Sequence, residues 1–277
     1  MKKTDVKKND FLVSDLPKNR YQLFFDILKN QWRTLLLLAV IILLLFLPII
    51  LLRFFNMVMI NSLINNGDSI NMKSEVFNTF VGYSFINFIV VVVVGVLFGG
   101  VARIYKKLAF NEGFFLGADF IRGIKENFKD YLWLFLIYGF LNMLLEILCM
   151  NYMLDNNYLY YFFKVLNYTT LLPILGVSMS VCALYSDSFI IKIKSSIRIY
   201  IKNLFKILLA VIIILIPLVL LFINSSIFQL FAPIVYSFIY FPFAYLIFVL
   251  ILNSVFDKDI NEKNFPDLVG KGMYRCS

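Results

Sequence analysis

The sequence predicts an all-α fold: a polytopic transmembrane helical bundle of six spans, with amphipathic interfacial helices before spans 1, 3 and 5. Three observations carry this prediction. The 277 residues are 61% hydrophobic and only 16% charged, with a mean hydropathy of +0.83. A soluble globular chain sits near about 45–50% apolar and about 25% charged. Several apolar runs exceed the ~18 residues that cross a ~30 Å hydrocarbon core, and they do not alternate as membrane β-strands would. Lastly, the lysines and arginines gather in every second loop.

Taken in order, residues 1–33 form a polar, basic N-terminal segment with an interfacial helix. Residues 34–252 form the membrane domain, and 253–277 a tail. The first apolar run, about Thr34 to Arg53, is too long for a signal-peptide core and reads as a retained span. The further spans cover about Val81 to Ala102, Tyr131 to Tyr152, Leu166 to Tyr185, Ile207 to Ile223 and Leu230 to Leu252. Asn167, Thr169 and Thr170 dilute the fourth, and the fifth is short; a basic segment between them argues against one re-entrant feature. The outer loop 54–80 begins as an extension of the first helix, and Asn65-Asn66-Gly67-Asp68 marks a turn.

Charge placement sets the orientation. Residues 1–33 carry eight Lys and Arg, 103–130 six, 186–206 five and the tail four, leaving only Arg53, Lys73 and Lys164 for the alternate loops. Under the positive-inside rule both termini are cytoplasmic, which requires an even number of spans. The net charge of +9 then reflects topology and the anionic lipids of the inner leaflet, not nucleic acid.

A short pattern, K-x-x-aromatic-basic, recurs before the odd-numbered spans. It reads Lys29-Asn30-Gln31-Trp32-Arg33, then Lys125-Glu126-Asn127-Phe128-Lys129, then Lys202-Asn203-Leu204-Phe205-Lys206. Amphipathic stretches precede it: Leu23, Phe24, Ile27 and Leu28 in the first copy, and Ile190, Ile193, Ile197 and Leu204 in the third. In the third copy Lys194, Arg198, Lys202 and Lys206 form an i, i+4 basic stripe. An aromatic at headgroup depth between cations suits a lipid or partner contact. The simplest account is three hairpins, each entered through a surface helix that turns into the bilayer. Residues 114–145 are the central copy.

Inside the predicted spans, ionisable groups are rare and costly. Glu146 shares a helix face with Tyr138 and Asn142 through i, i+4 spacing, and Arg53 ends the first span on the same side. Glu146 is expected to face the interior and pair with Arg53 or an amide such as Asn142. Two readings of this stripe stay open: a polar contact that sets helix packing, or the lining of a solute or proton path. Gly95 and Gly99 form a G-x-x-x-G in the second span that lets another helix approach closely. Pro48, Pro173, Pro217, Pro233 and Pro242 fall in or near spans, where they free backbone carbonyls.

Catalytic chemistry finds no foothold. The chain has no histidine, which removes His-based acid–base work, His metal ligands and Ser-His-Asp triads. No phosphate-binding loop or nucleophile elbow appears. Cys149, Cys182 and Cys276 show no paired spacing, so neither a disulfide nor a metal site is indicated. No cofactor is expected. In the tail, Asp257, Asp259, Glu262 and Asp267 alternate with Lys258 and Lys263, which reads as a solvated extension.

The first span, entered by Asn30-Gln31-Trp32 and closed by Phe46 to Ile50 (FLPII), resembles the YesL-like family of bacterial integral membrane proteins. So does GADFIRGIKENFKDYLWL, through Asp119-Phe120, Lys125, Asn127-Phe128 and Lys129. The resemblance covers roughly residues 20–225, and this chain is longer than a typical member. It implies a bacterial cell-membrane protein without established biochemical activity, associated with carbohydrate ABC transporter components. No catalytic residues carry over. Two function classes follow: a non-enzymatic accessory to carbohydrate uptake, or a small-solute transporter or permease subunit. Against an ABC permease, residues 103–130 lack a convincing coupling segment.

Overall fold

The computed structural model describes residues 17–66, 72–155, 157–217 and 226–273. Among the described residues the chain is helical, without strands: α1 (Arg20–Asn66), α2 (Met72–Ala109), α3 (Leu116–Leu154), α4 (Leu159–Leu166), α5 (Leu172–Leu184), α6 (Phe189–Lys202), α7 (Leu204–Leu215), α8 (Ser226–Val235), α9 (Phe241–Phe256) and α10 (Glu262–Asn264). A π-helical turn, Asn167–Leu171, joins α4 to α5; a second, Tyr236–Tyr240, joins α8 to α9; a third, Asp257–Asn261, follows α9.

Among the described residues, five helical stretches are long and apolar enough to cross a membrane: Arg20–Asn65, Met72–Ala109, Leu116–Leu154, Leu159–Leu184 and Phe228–Asn264. The expected fifth span begins as the shorter α7, and residues 218–223 of it lie outside the described residues. So does part of the expected 65–68 turn. The fourth stretch starts at Leu159, not Leu166, because the polar residues that dilute the sequence are absorbed by the π turn. The hydroxyls of Thr169 and Thr170 donate to the carbonyls of Val165 and Leu166, which is how such residues persist in an apolar helix. Pro173 has no N–H and frees the carbonyl of Thr169, four residues back; the Tyr200 hydroxyl donates to that carbonyl. The second π turn likewise precedes a proline, Pro242, whose own carbonyl accepts from the Tyr105 hydroxyl at 2.9 Å.

The α2–α3 hairpin is the most extensively packed pair in the fold. Glycines set its closeness. A Cβ at Gly95 would lie 2.1 Å from the Phe135 ring, and one at Gly123 would lie 2.9 Å from the Gly99 carbonyl oxygen and 3.0 Å from the Gly100 Cα. α1 packs on α2 and α9, α6 on α5, and α7 on α9. Tyr105, Tyr131, Phe248 and Phe256 are fully buried, and Leu23 and Ile27 join them from the start of α1.

The three expected helix entries do not behave alike. α1 breaks at Gln31 (φ −126°, ψ 22°), within the first K-x-x-aromatic-basic copy. α6 and α7 are separated at Asn203 (φ −117°, ψ 31°), within the third. In the central copy the expected turn is absent, and α3 runs unbroken from Leu116 through Leu154. The reason is its partner. Residues 116–128 are held along the extended end of α2 by the Gly99–Gly123 contact and by ion pairs from Arg103 and Lys107 to Asp119 (3.3 and 2.8 Å). A helix gripped over that length cannot swing away.

Candidate functional site

Two polar regions stand out, one among the apolar helices and one at the end where the basic segments gather, called the basic end below. In the first, the Asn142 amide donates to Glu146 Oε1 at 3.0 Å, and the Asn167 amide donates to Asn142 Oδ1 at 2.8 Å. The expected stripe therefore gains Asn167, a member the sequence reading missed, presented by the π turn. Glu146 pairs with the amide and not with Arg53: no ion pair between them occurs among the described residues, and Arg53 is exposed. Tyr138 lies one turn from Asn142 and lines a different space. That space is an apolar cavity of about 280 Å³ walled by Phe46, Phe98, Phe135, Phe241 and Phe248.

At the basic end the residues expected to meet lipid or a partner are all exposed: Lys29, Trp32, Arg33, Lys125, Phe128, Lys129, Lys194, Arg198, Lys202, Phe205 and Lys206. Arg33 lies over the Trp32 ring at 5.7 Å. On α6, Ile190 and Ile197 are exposed while Ile193 packs on the core, as does Leu204 at the start of α7. The face that α6 turns inward carries Lys192, Ser196, Ile199 and Tyr200. This departs from the expected apolar stripe. Lys192, only 5% exposed, reaches Asp130 on α3 at 2.5 Å. It is the one α6 cation off the 194-198-202-206 stripe, and that offset was the available signal.

A cleft of about 800 Å³ opens here between the α2–α3 ends and the α5–α6 turn. Its walls include Lys106, Lys125, Asn127, Asp130, Asp187 and Lys192. Lys106 donates to the Ala183 carbonyl at 2.9 Å, which ties α2 to the end of α5.

The tail is solvated only in part: Lys258, Glu262, Lys263 and Asp267 are exposed, while Asp257 and Asp259 pack against the fold. Arg20 Nη2 meets Asp257 Oδ2 at 2.7 Å, with side chains only 12% and 15% exposed; Arg20 Nη1 also donates to the carbonyls of Ala109 and Lys271. Asp259, 5% exposed at its side chain, accepts from Lys202 Nζ and from Asn203 Nδ2. The Tyr185 hydroxyl donates to Asn261 Oδ1 at 2.8 Å. The third π turn thus joins the start of α1, the Asn203 bend and the α5–α6 turn. Alternating acids and bases look alike in sequence whether solvated or paired, so this clasp was not legible there.

Among the described residues no group of three or more His, Cys, Asp or Glu is placed to hold a metal ion. Cys149 and Cys182 are free thiols. Set against known proteins, the chain matches no family model, no curated protein and no solved structure.

Proposed function

We propose that this chain is a non-enzymatic protein of the bacterial cell membrane, with six spans and both termini cytoplasmic, that serves as an accessory to another membrane protein. The motif cations and aromatics at the basic end would then rest on the anionic inner leaflet. The resemblance to the YesL-like family points to carbohydrate uptake and to an ABC transporter component as partner. The observation that carries the reading is the open, charged cleft at the basic end, flanked by the exposed Lys125–Lys129 copy. Its charged walls contrast with the apolar cavity among the long helices, which supports a role at a face over a route through the bundle.

Two measurements test it. In a cysteine-free background, Lys129→Cys should react with an impermeant maleimide only after the cells are opened, and Lys73→Cys in intact cells; the reverse pattern discards the topology. Purification from native membranes should return a stoichiometric transporter partner. Solute flux by the lone protein in liposomes would instead establish the second reading, a small-solute transporter or permease subunit. The hydrogen-bonded Asn167–Asn142–Glu146 chain favours that second reading. On it, Glu146→Gln abolishes uptake while folding normally; on the accessory reading, uptake by the partner is unchanged.

A further inference from the structure

Beside the cleft lies a smaller pocket of about 210 Å³, enclosed by the end of α2, the loop before α3, the end of α5 and the tail. Four cations line it, Arg103, Lys106, Lys107 and Lys271, against one carboxylate, Glu112. Three of these cations already have carboxylate partners. Arg103 pairs with Asp119 and Glu126, Lys107 with Asp119 at 2.8 Å, and Lys271 with Glu112 at 2.5 Å. Lys106 differs. Its ammonium has three donors, and one goes to the Ala183 carbonyl. Among the described residues no carboxylate lies within ion-pair distance of it. It is half-buried, and it lines this pocket and the larger cleft alike. A cation withdrawn from water without a charge partner is costly, and an arriving anion would offset that cost.

We propose that this pocket binds a phosphate group, with Lys106 as its unpaired cation and Lys107, Arg103 and Lys271 as flanking charge. A phosphate oxygen offers the acceptors that Lys106 lacks, and Arg and Lys are the side chains that hold it through charge-assisted hydrogen bonds. Phe110, Leu184 and Leu268 supply apolar wall, which suits an ester over a bare ion. Arg103 to Lys107 follow the apolar run ending at Ala102 by one to five residues, or about 1.5–8 Å of helix. That depth is level with lipid headgroups, so the phosphate has two sources: a lipid phosphomonoester or a soluble phosphate compound. The site does not depend on a docked protein partner.

The test uses the full chain in neutral detergent, with inorganic phosphate titrated against chloride at equal ionic strength. The thermal midpoint should rise with phosphate and not with chloride. In a second arm, phosphatidylcholine nanodiscs with and without phosphatidic acid replace the free ion. Stabilisation by phosphatidic acid alone assigns the lipid source, and stabilisation by inorganic phosphate assigns a soluble one. Lys106→Met should weaken binding about tenfold or more, while Lys106→Arg retains most of it. Lys73→Met, exposed at the opposite end of α2 from the pocket, should leave phosphate binding unchanged. The proposal fails if neither phosphate source exceeds its control, a result the wild-type protein gives even if Lys106→Met does not fold. It also fails if Lys73→Met weakens binding as much as Lys106→Met.

Discussion

The second and third K-x-x-aromatic-basic copies share a sequence pattern and differ in shape. In α3 the helix passes through Lys125–Lys129 unbroken, while at Lys202–Lys206 the chain bends at Asn203. Each copy carries an asparagine that donates back to a carbonyl four residues earlier, Asn127 to Gly123 at 3.0 Å and Asn203 to Ile199 at 3.3 Å. The local chemistry is therefore the same. What differs is the neighbour. α3 lies against α2 with backbone on backbone at Gly99 and Gly123, whereas the Asn203 amide is also claimed by Asp259 from another helix at 2.5 Å. A continuous partner keeps a helix straight, and a point contact from the side supports a bend.

The helices that carry or lead into the two copies, α3 and α6, are joined by Lys192–Asp130, and breaking that link should produce the largest effect. Asp130→Asn leaves Lys192 buried without its counter-charge, which should cost about 3 kcal/mol, toward the lower end for a stranded buried ion. The thermal midpoint in detergent reads this. The double variant Asp130→Asn/Lys192→Met should recover most of the loss, since no charge is then left unpaired; a double variant as unstable as the single would remove the electrostatic account. Next comes the straight copy itself. Gly123→Ala places a Cβ against the α2 backbone and should cost about 2 kcal/mol through overpacking. Gly117→Ala, with nothing within 4 Å of its Cβ, should be neutral or slightly stabilising as a helix substitution. Equal behaviour of the two glycines would mean that the Gly99–Gly123 contact does not hold α3 straight.

These differences explain what could be read in the sequence. Helix class and most of the long apolar stretches were legible, because run length and composition are local properties. The breaks at Gln31 and Asn203 fall inside the recognised copies, yet the straightness of α3 depends on glycines 24 residues away in sequence (Gly99 against Gly123), which no periodicity within α3 reveals. The Tyr138–Asn142–Glu146 face followed from i, i+4 spacing. Asn167 did not, because a π turn shifts the helical register and presents a residue that an ideal α-helix would place elsewhere. Lys192 and Asp257–Asn261 were hidden for a different reason. Charge signs show that pairing is available, but only the packing of distant helices decides which groups are buried together.

The bent copy offers a smaller effect. Asp259→Ala removes the acceptor shared by Lys202 and Asn203 and should cost about 1–2 kcal/mol. The loss should be local as well as global. Amide hydrogen exchange should rise across 199–207 more than across 123–130, because only the bent copy relies on that carboxylate. Uniform acceleration in both segments would show that the third π turn braces the whole basic end and not the Asn203 bend.

The smallest effect separates place from pairing. Lys73 and Asp155 join the start of α2 to the end of α3 at 3.7 Å, with side chains 67% and 61% exposed, so the same hairpin carries ion pairs at both ends. Water screens the exposed pair, and holding two mobile side chains together opposes the attraction. Asp155→Asn should therefore shift stability by less than about 0.5 kcal/mol. Asp119→Asn acts on the buried end of the same hairpin, where one carboxylate serves both Arg103 and Lys107, and its cost should be several times larger. Thermal midpoints of the two single variants decide the matter. If Asp155→Asn proves as damaging as Asp119→Asn, the hairpin is pinned by its ends alike, and close packing with α2 is not what distinguishes the straight entry from the bent one.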